Sequence, residues 1–286
     1  YRRGGYPCSY RHRYFRCTTM KAGSVRPVVL VMGGHDPTGG AGIQADIETI
    51  AVLGGHAITV PAALTLQNSH QVESFDPAPL DRFIQQSRML LEEFEVVAIK
   101  IGMVGSLAIC EAIHTLLNEH PAIPVVLDPV LAAGGGGALS QNNLIEAIRT
   151  LLIPRLTLAT PNRNELRKLA PGGDNPQARC AELLNQGCQN LLVTGTDEPA
   201  ADENVDQVHH LLLQQDGTRS SFQYKRLPHR YHGSGCTLAS AITLQLGKGG
   251  AIEEAVKSGL DFTWNSLKQG HQLTDGQHFP NRFFNP

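Results

Sequence analysis

Apolar residues along this chain come in two alternating spacings. Short unbroken runs predict strands buried on both faces: PVVLVM at 27–32, AITVPAALTL at 57–66, VVAIKIGM at 96–103, PVVLDPV at 124–130, LTLAT at 156–160 and NLLVTG at 190–195. Between them, apolar residues recur every three or four positions, the helical spacing. Examples are Ile43, Ile47, Ile50 and Ala51; Leu80, Phe83, Ile84, Leu90, Leu91 and Phe94; and Ile109, Ile113, Leu116 and Leu117. Further helices are expected over 141–152, 163–170, 176–186, 235–247 and 251–269, and a hairpin from VHHLLLQ (208–214) and SFQYKR (221–226) around Asp216-Gly217. Strand–helix alternation of this length predicts an α/β chain with a doubly wound, mostly parallel sheet. Ligands of such sheets bind at the carboxyl ends of the strands. Polar and glycine residues gather there: Gly33 to Gly42, Gln67-Asn68, Gly102-Met103, Asp128, Asn162 to Glu165 and Thr194 to Asp197. The glycines at 33, 34, 39, 40 and 42 read as a flexible turn.

The chain has 286 residues, 41% of them hydrophobic and 17% charged, enough for a sizeable core. No apolar run reaches the ~18 residues of a membrane helix, so no membrane partner is expected. Residues 1–21 carry six Lys or Arg and no acid, leaving 24 − 6 = 18 basic against 26 acidic residues in the remainder. An acidic body argues against nucleic acid as a partner. The basic run lacks the apolar core of a secretory signal; residues 1–25 are expected to be an extension that is either disordered or, before Met20, not native, and 26–286 one domain. Six cysteines without a CxxC spacing suggest neither a zinc site nor a disulfide framework, and point to a reducing cytoplasm.

The chemistry concentrates in HGSGCTLASAI, 232–242. Glycines before an apolar helix bring several free N–H groups and the positive helix end to one place, an anion site. Cys236 falls in the first turn, where its thiol pKa is expected to drop. A glycine-rich helix start that merely packs fits the same residues. Asp128 closes a strand and faces either the ligand crevice or its own loop. Asn162-x-x-Glu165 suits Mg²⁺ together with phosphates, and suits an N-terminal capping box equally well. Gln67 offers an amide that could pair with an aminopyrimidine edge, and Met103 a surface for its ring; a polar strand end meeting water is the plainer alternative. His209, His210, His229 and His232 show no ligand spacing and read as structural or surface groups.

Together GGHDPTGGAGIQADI (33–47), ALTLQNS (63–69), KIGMVGS (100–106), VVLDPV (125–130), TPNRNE (160–165) and HGSGCTLASAI (232–242) resemble the hydroxymethylpyrimidine/phosphomethylpyrimidine kinases of thiamine biosynthesis, within the ribokinase-like superfamily. The resemblance spans residues 26–245 in the family's order. It implies a three-layer αβα sandwich that phosphorylates 4-amino-5-hydroxymethyl-2-methylpyrimidine with ATP and Mg²⁺, first to the monophosphate and then to the diphosphate. It implies a pyrimidine pocket of Gly34, Asp46, Gln67, Met103 and Val130, and an anion hole of Gly233, Ser234, Gly235 and Cys236, with Cys236 as base. Asp128, Asn162, Glu165, Thr194 and Thr196 would lie around the ATP phosphates, with Asp128 and Glu165 toward the metal. A cytoplasmic homodimer without a fused thiamine-phosphate synthase domain is the corresponding expectation.

Two departures stand out. His35 occupies the place of a small hydroxyl residue, and Thr194-Gly195-Thr196-Asp197 that of a Lys-Gly-Gly-His segment. Losing that lysine is expected to weaken the second phosphorylation, whose substrate is already anionic. The nearest rival activity is that of a pyridoxal kinase, against which Gln67 and Met103 favour the aminopyrimidine. A non-catalytic pyrimidine-binding regulator is the rival of another class, disfavoured by the intact GSGC, Asp128 and Asn162-x-x-Glu165 set.

Overall fold

A computed structural model describes residues 26–131, 138–195 and 205–284. The expected N-terminal extension and Thr196 lie outside the described residues. Nine strands form one sheet in the order β3-β2-β1-β4-β5-β6-β7-β8-β9. β1 (Val28–His35), β2 (His56–Gln67), β4 (Val96–Ile101), β5 (Val125–Leu127), β6 (Leu158–Ala159) and β7 (Asn190–Val193) run parallel. The edges are antiparallel: β3 (Val72–Pro77) on one side, and the expected hairpin of β8 (Gln207–Gln214) and β9 (Arg219–Lys225) on the other.

The parallel strands are apolar throughout because both faces are covered. In β1, Leu30 and Met32 join the core under α2 (Leu80–Glu93), α3 (Leu107–Glu119), α4 (Ala138–Ala147), α5 (Arg163–Leu169) and α6 (Pro176–Asn185). Val29 and Val31 point the other way, to Ile43 and Ile50 of α1 (Gly42–Val52) and Leu244 of α7 (Ser234–Gly247). Val126, Leu158, Leu192 and Leu212 continue that second core beneath α7 and α8 (Ile252–Lys268). The result is the expected three-layer αβα sandwich.

Several elements differ from the sequence reading. Gly33 and Gly34 extend β1 and pair with Pro61 and Ala63 of β2 instead of forming a turn; the turn proper begins after His35. β3 escaped notice because an edge strand needs no apolar run; VESFDP is half-exposed or exposed at every position. Strands expected at 96–103, 124–130 and 156–160 end earlier, at Ile101, Leu127 and Ala159, where the polar site residues take over. The helix expected over 141–152 begins at Ala138 and passes into a π turn (Ile148–Leu152) and a 3₁₀ turn (Ile153–Arg155).

Candidate active site

In the sheet order, β1 lies between β2 and β4, which connect to it from opposite directions; crevices of doubly wound sheets open at such a switch point. A cavity of about 140 Å³ opens there. Gly34 and Met103 form one wall: a Cβ on Gly34 would sit 3.1 Å from the Met103 Sδ, a tight contact that would press the Met103 side chain away. Gln67 at the end of β2, Val130 beyond β5, and Cys236 in the first turn of α7 close the other sides. His35 also lines the cavity, so the family departure lies in its wall.

The loop from Asp36 to Gly42 is held by one carboxylate. Asp36 Oδ1 accepts from the Thr38 N–H at 2.8 Å, and Oδ2 accepts from the Ala41 N–H at 2.7 Å and pairs with His232 Nε2 at 2.8 Å. Burial alone would raise its pKa, but the bonds from His232, Thr38 and Gln67 outweigh it and hold the carboxyl well below the usual carboxylate range. His232 is thus a strut between this loop and α7 rather than an indifferent surface histidine. Gly233, the next residue, caps α7 in a left-handed conformation (φ 71°), and a Cβ there would fall 2.0 Å from the Gly40 carbonyl oxygen.

Beneath the cavity lies a charge cluster whose cation, Lys100, the sequence reading did not single out. Lys100, 1% exposed, points from β4 between the layers, and its Nζ donates to Asp46 Oδ2 at 3.0 Å. Ser240 Oγ donates to Asp46 Oδ1 at 2.7 Å, so both oxygens of Asp46 are engaged. Asp46 and Lys100 both line the floor of the pocket. Burial would lower the Lys100 pKa, but Asp46, Cys236 and Asp128 raise it above its ordinary value. Burial drives the Asp46 and Asp128 carboxyls upward, since one lysine cannot balance both.

Cys236 corrects an expectation. Its thiol is not lowered by the helix start; burial, reinforced by Asp128 and Asp46, pushes it up to about 12, against Lys100 and the Gly42 N–H, which favour the thiolate. The Asp128 carboxylate beside it is the charge that raises it most. Gly235 lies against the same group: a Cβ there would be 3.3 Å from Asp128 Oδ1. Asp128 Oδ2 is buried without a hydrogen-bond partner.

Asn162, Glu165 and Thr194 do not line this cavity. They assemble at the ends of β6 and β7, where Asn162 and Thr194 form a parallel bridge. Asn162 Oδ1 accepts from the Glu165 N–H and Glu165 Oε2 from the Asn162 N–H, both at 2.9 Å, so the capping box forms. Among the described residues no three His, Cys, Asp or Glu side chains are arranged to hold a metal. The orphan oxygen of Asp128 fits a cation that takes one or two carboxylates and completes its shell with phosphates and water, as Mg²⁺ does.

Two more residues lacked a readable signal or had a neglected one. A lysine inside VVAIKIGM was visible as a charge in an apolar strand. Arg282 was not: only 2% exposed, it donates through Nε to Thr237 Oγ1 at 2.9 Å, through Nη1 to Glu48 Oε2 at 2.9 Å, and through Nη2 to the Gly40 carbonyl.

A doubly wound sheet with its pocket at the switch point and a glycine-capped helix at the pocket wall defines a ribokinase-like small-molecule kinase. The chain belongs to the phosphomethylpyrimidine kinase family, whose model matches residues 36–281. It is 35% identical over 255 residues to a hydroxymethylpyrimidine/phosphomethylpyrimidine kinase of Streptomyces coelicolor, covering 87% of this chain and 92% of that one. A chloroplastic thiamine biosynthetic bifunctional enzyme of Arabidopsis thaliana is 30% identical, and this chain spans 52% of its length. Among solved structures, the pyridoxal kinase of Staphylococcus aureus with pyridoxal superposes with a TM-score of 0.80 at 25% identity, covering 90% of this chain and 94% of that one. The phosphomethylpyrimidine kinase of Clostridium difficile gives 0.69 at 27% identity, covering 84% and 98%.

Proposed function

We propose that this chain phosphorylates 4-amino-5-hydroxymethyl-2-methylpyrimidine with ATP, first to the monophosphate and then to the diphosphate, for thiamine diphosphate synthesis. The observation that carries this reading is the cavity in which Gln67, Met103 and Cys236 meet. Gln67 reads the aminopyrimidine edge, and Gly34 leaves room for Met103 to cover the ring. The substrate's hydroxymethyl group turns toward Cys236 and Asp128. As its oxygen attacks the γ-phosphorus, its proton passes to the Cys236–Asp128 pair and ADP leaves. Lys100 beside that pair favours the negative form that accepts the proton. Backbone N–H groups of Gly233 to Cys236 meet the charge on the transferred phosphoryl without reorganising. Asp128, with Glu165 and Asn162 near the phosphates, would hold Mg²⁺, which neutralises phosphate charge when bound. In this reading Thr194, at the end of β7, lies toward the nucleotide phosphates; Thr196 is assigned there by sequence alone.

Residues 26–286 act as one kinase domain in this reading, supported by the single sheet. We read the chain as a cytoplasmic homodimer: Leu64 and Leu66 share one face of β2 and are 53% and 59% exposed, an apolar strip that a second copy would cover. Light scattering at micromolar concentration checks this, and a monomer there removes it. Among the described residues no helix is long and apolar enough to cross a membrane.

Product analysis tests the activity. With Mg-ATP and the hydroxymethylpyrimidine, mass spectrometry is expected to show monophosphate followed more slowly by diphosphate. Pyridoxal phosphate from pyridoxal, with no pyrimidine product, would move the chain to the second reading, a pyridoxal kinase. That alternative is favoured by the higher TM-score to the Staphylococcus aureus enzyme.

A further inference from the structure

A second groove, larger than the first at about 530 Å³, lies between α5, α6 and strands β7 to β9. It sits on the opposite sheet face from α7, since its floor residue Leu213 belongs to the core under α2 to α6. Four arginines line it, Arg163, Arg167, Arg179 and Arg219, with His209 and His210, and among the described residues its lining holds no Asp or Glu. The sequence beyond residue 21 has only 18 basic residues against 26 acidic ones, and four of those 18 share this groove. Arg167, Arg179 and Arg219 make no ion pair among the described residues.

Three nitrogens in the wall are buried without a hydrogen-bond partner: Arg179 Nε, His209 Nε2 and His210 Nδ1. Buried polar atoms are ordinarily satisfied, and an orphan costs its desolvation. His210 is only 6% exposed, so bulk water does not readily replace the missing partner. Arg167 donates to the Asn164 side-chain oxygen, which leaves its charge unbalanced, and guanidinium forks without a carboxylate partner match phosphate oxygens in geometry and charge. Three such cations exceed what one phosphate monoester would balance. We propose that this groove is a second binding site, for a small molecule carrying two or more phosphoryl groups, separate from the kinase pocket.

Inorganic pyrophosphate is the probe. Calorimetry would follow its binding to the full chain while a non-hydrolysable ATP analogue saturates the kinase site. One pyrophosphate is expected to bind under those conditions. Arg179→Ala/Arg219→Ala is expected to weaken it at least tenfold, with kcat in its absence unchanged. Arg219→Ala alone, on an exposed strand position, is expected to weaken it less while keeping the wild-type Tm, which guards against a folding defect. Pyrophosphate that fails to bind, is displaced by the nucleotide analogue, or binds both variants as it binds wild type would overturn the proposal. So would an acidic peptide that binds the groove where pyrophosphate does not.

Discussion

Lys100 is the residue on which the site's electrostatics turn. Removing one partner of a buried ion pair leaves an uncompensated charge, at a cost of about 3–5 kcal/mol. Lys100→Met is therefore expected to lower stability by that order and to abolish turnover, because Asp46 stays buried with only Ser240 as donor. Lys100→Met/Asp46→Leu should recover much of the stability in urea melts but none of the activity; a double variant no more stable than the single one would contradict the pairing. Cys236, with its thiol at about 12, should be slow to alkylate at neutral pH. Since a loose phosphoryl-transfer transition state asks little of its base, Cys236→Ala should retain more kcat than Gly235→Asp. The latter sets a carboxylate against Asp128, 3.3 Å from where its Cβ would stand. The reverse order of rates would count against the anion-hole assignment.

At the scale of elements, the capping box of α5 was readable from Asn162-x-x-Glu165, but the same residues also suited a metal, and local sequence could not rank the two. The structure forms the box. Asn162→Ser preserves an N-cap oxygen and should hold stability within about 0.5 kcal/mol, whereas Asn162→Ala costs about 1 kcal/mol. A large loss of kcat in Asn162→Ser with unchanged Tm would reveal a role at the phosphates beyond capping. The β8–β9 hairpin carries a pH liability. Burial first, then the neighbouring His209 and Arg163, lower the His210 pKa to about 4 from its ordinary 6.5. The unfolded chain thus takes up this proton first as pH falls. The effect is absent above pH 6.5, grows downward to about pH 4, and reaches roughly 3 kcal/mol of lost stability. His210→Phe should flatten the pH dependence of Tm over that window; an unchanged slope would assign the loss to other groups.

For the whole molecule, the contact that joins distant parts is Arg282. It ties the Gly40 loop and Glu48 of α1 to Thr237 of α7, and so closes the pocket's glycine loop onto the anion-hole helix. Arg282→Ala should raise KM for the pyrimidine and lower Tm, with a smaller effect on kcat, because the reacting groups keep their own partners. Steady-state kinetics that show kcat falling with KM unchanged would instead place Arg282 in the chemical step.

The sequence by itself determined the type and order of almost every element, because periodicity is a local property set by which faces each segment must bury. The family resemblance of its motifs further implied one site for Gly34, Gln67, Met103, Val130 and Cys236, and these residues line one cavity. The sequence reading missed β3, whose edge position imposes no apolar run. Only the tertiary structure decided the charge states and the struts. Lys100 meets Asp46 across 54 residues, and Arg282 meets Gly40 across 242. The helix start argued for a lowered Cys236 thiol, but burial and two carboxylates from other segments reversed it. Desolvation and Coulomb energy depend on everything nearby in space, and no local window of sequence contains that sum.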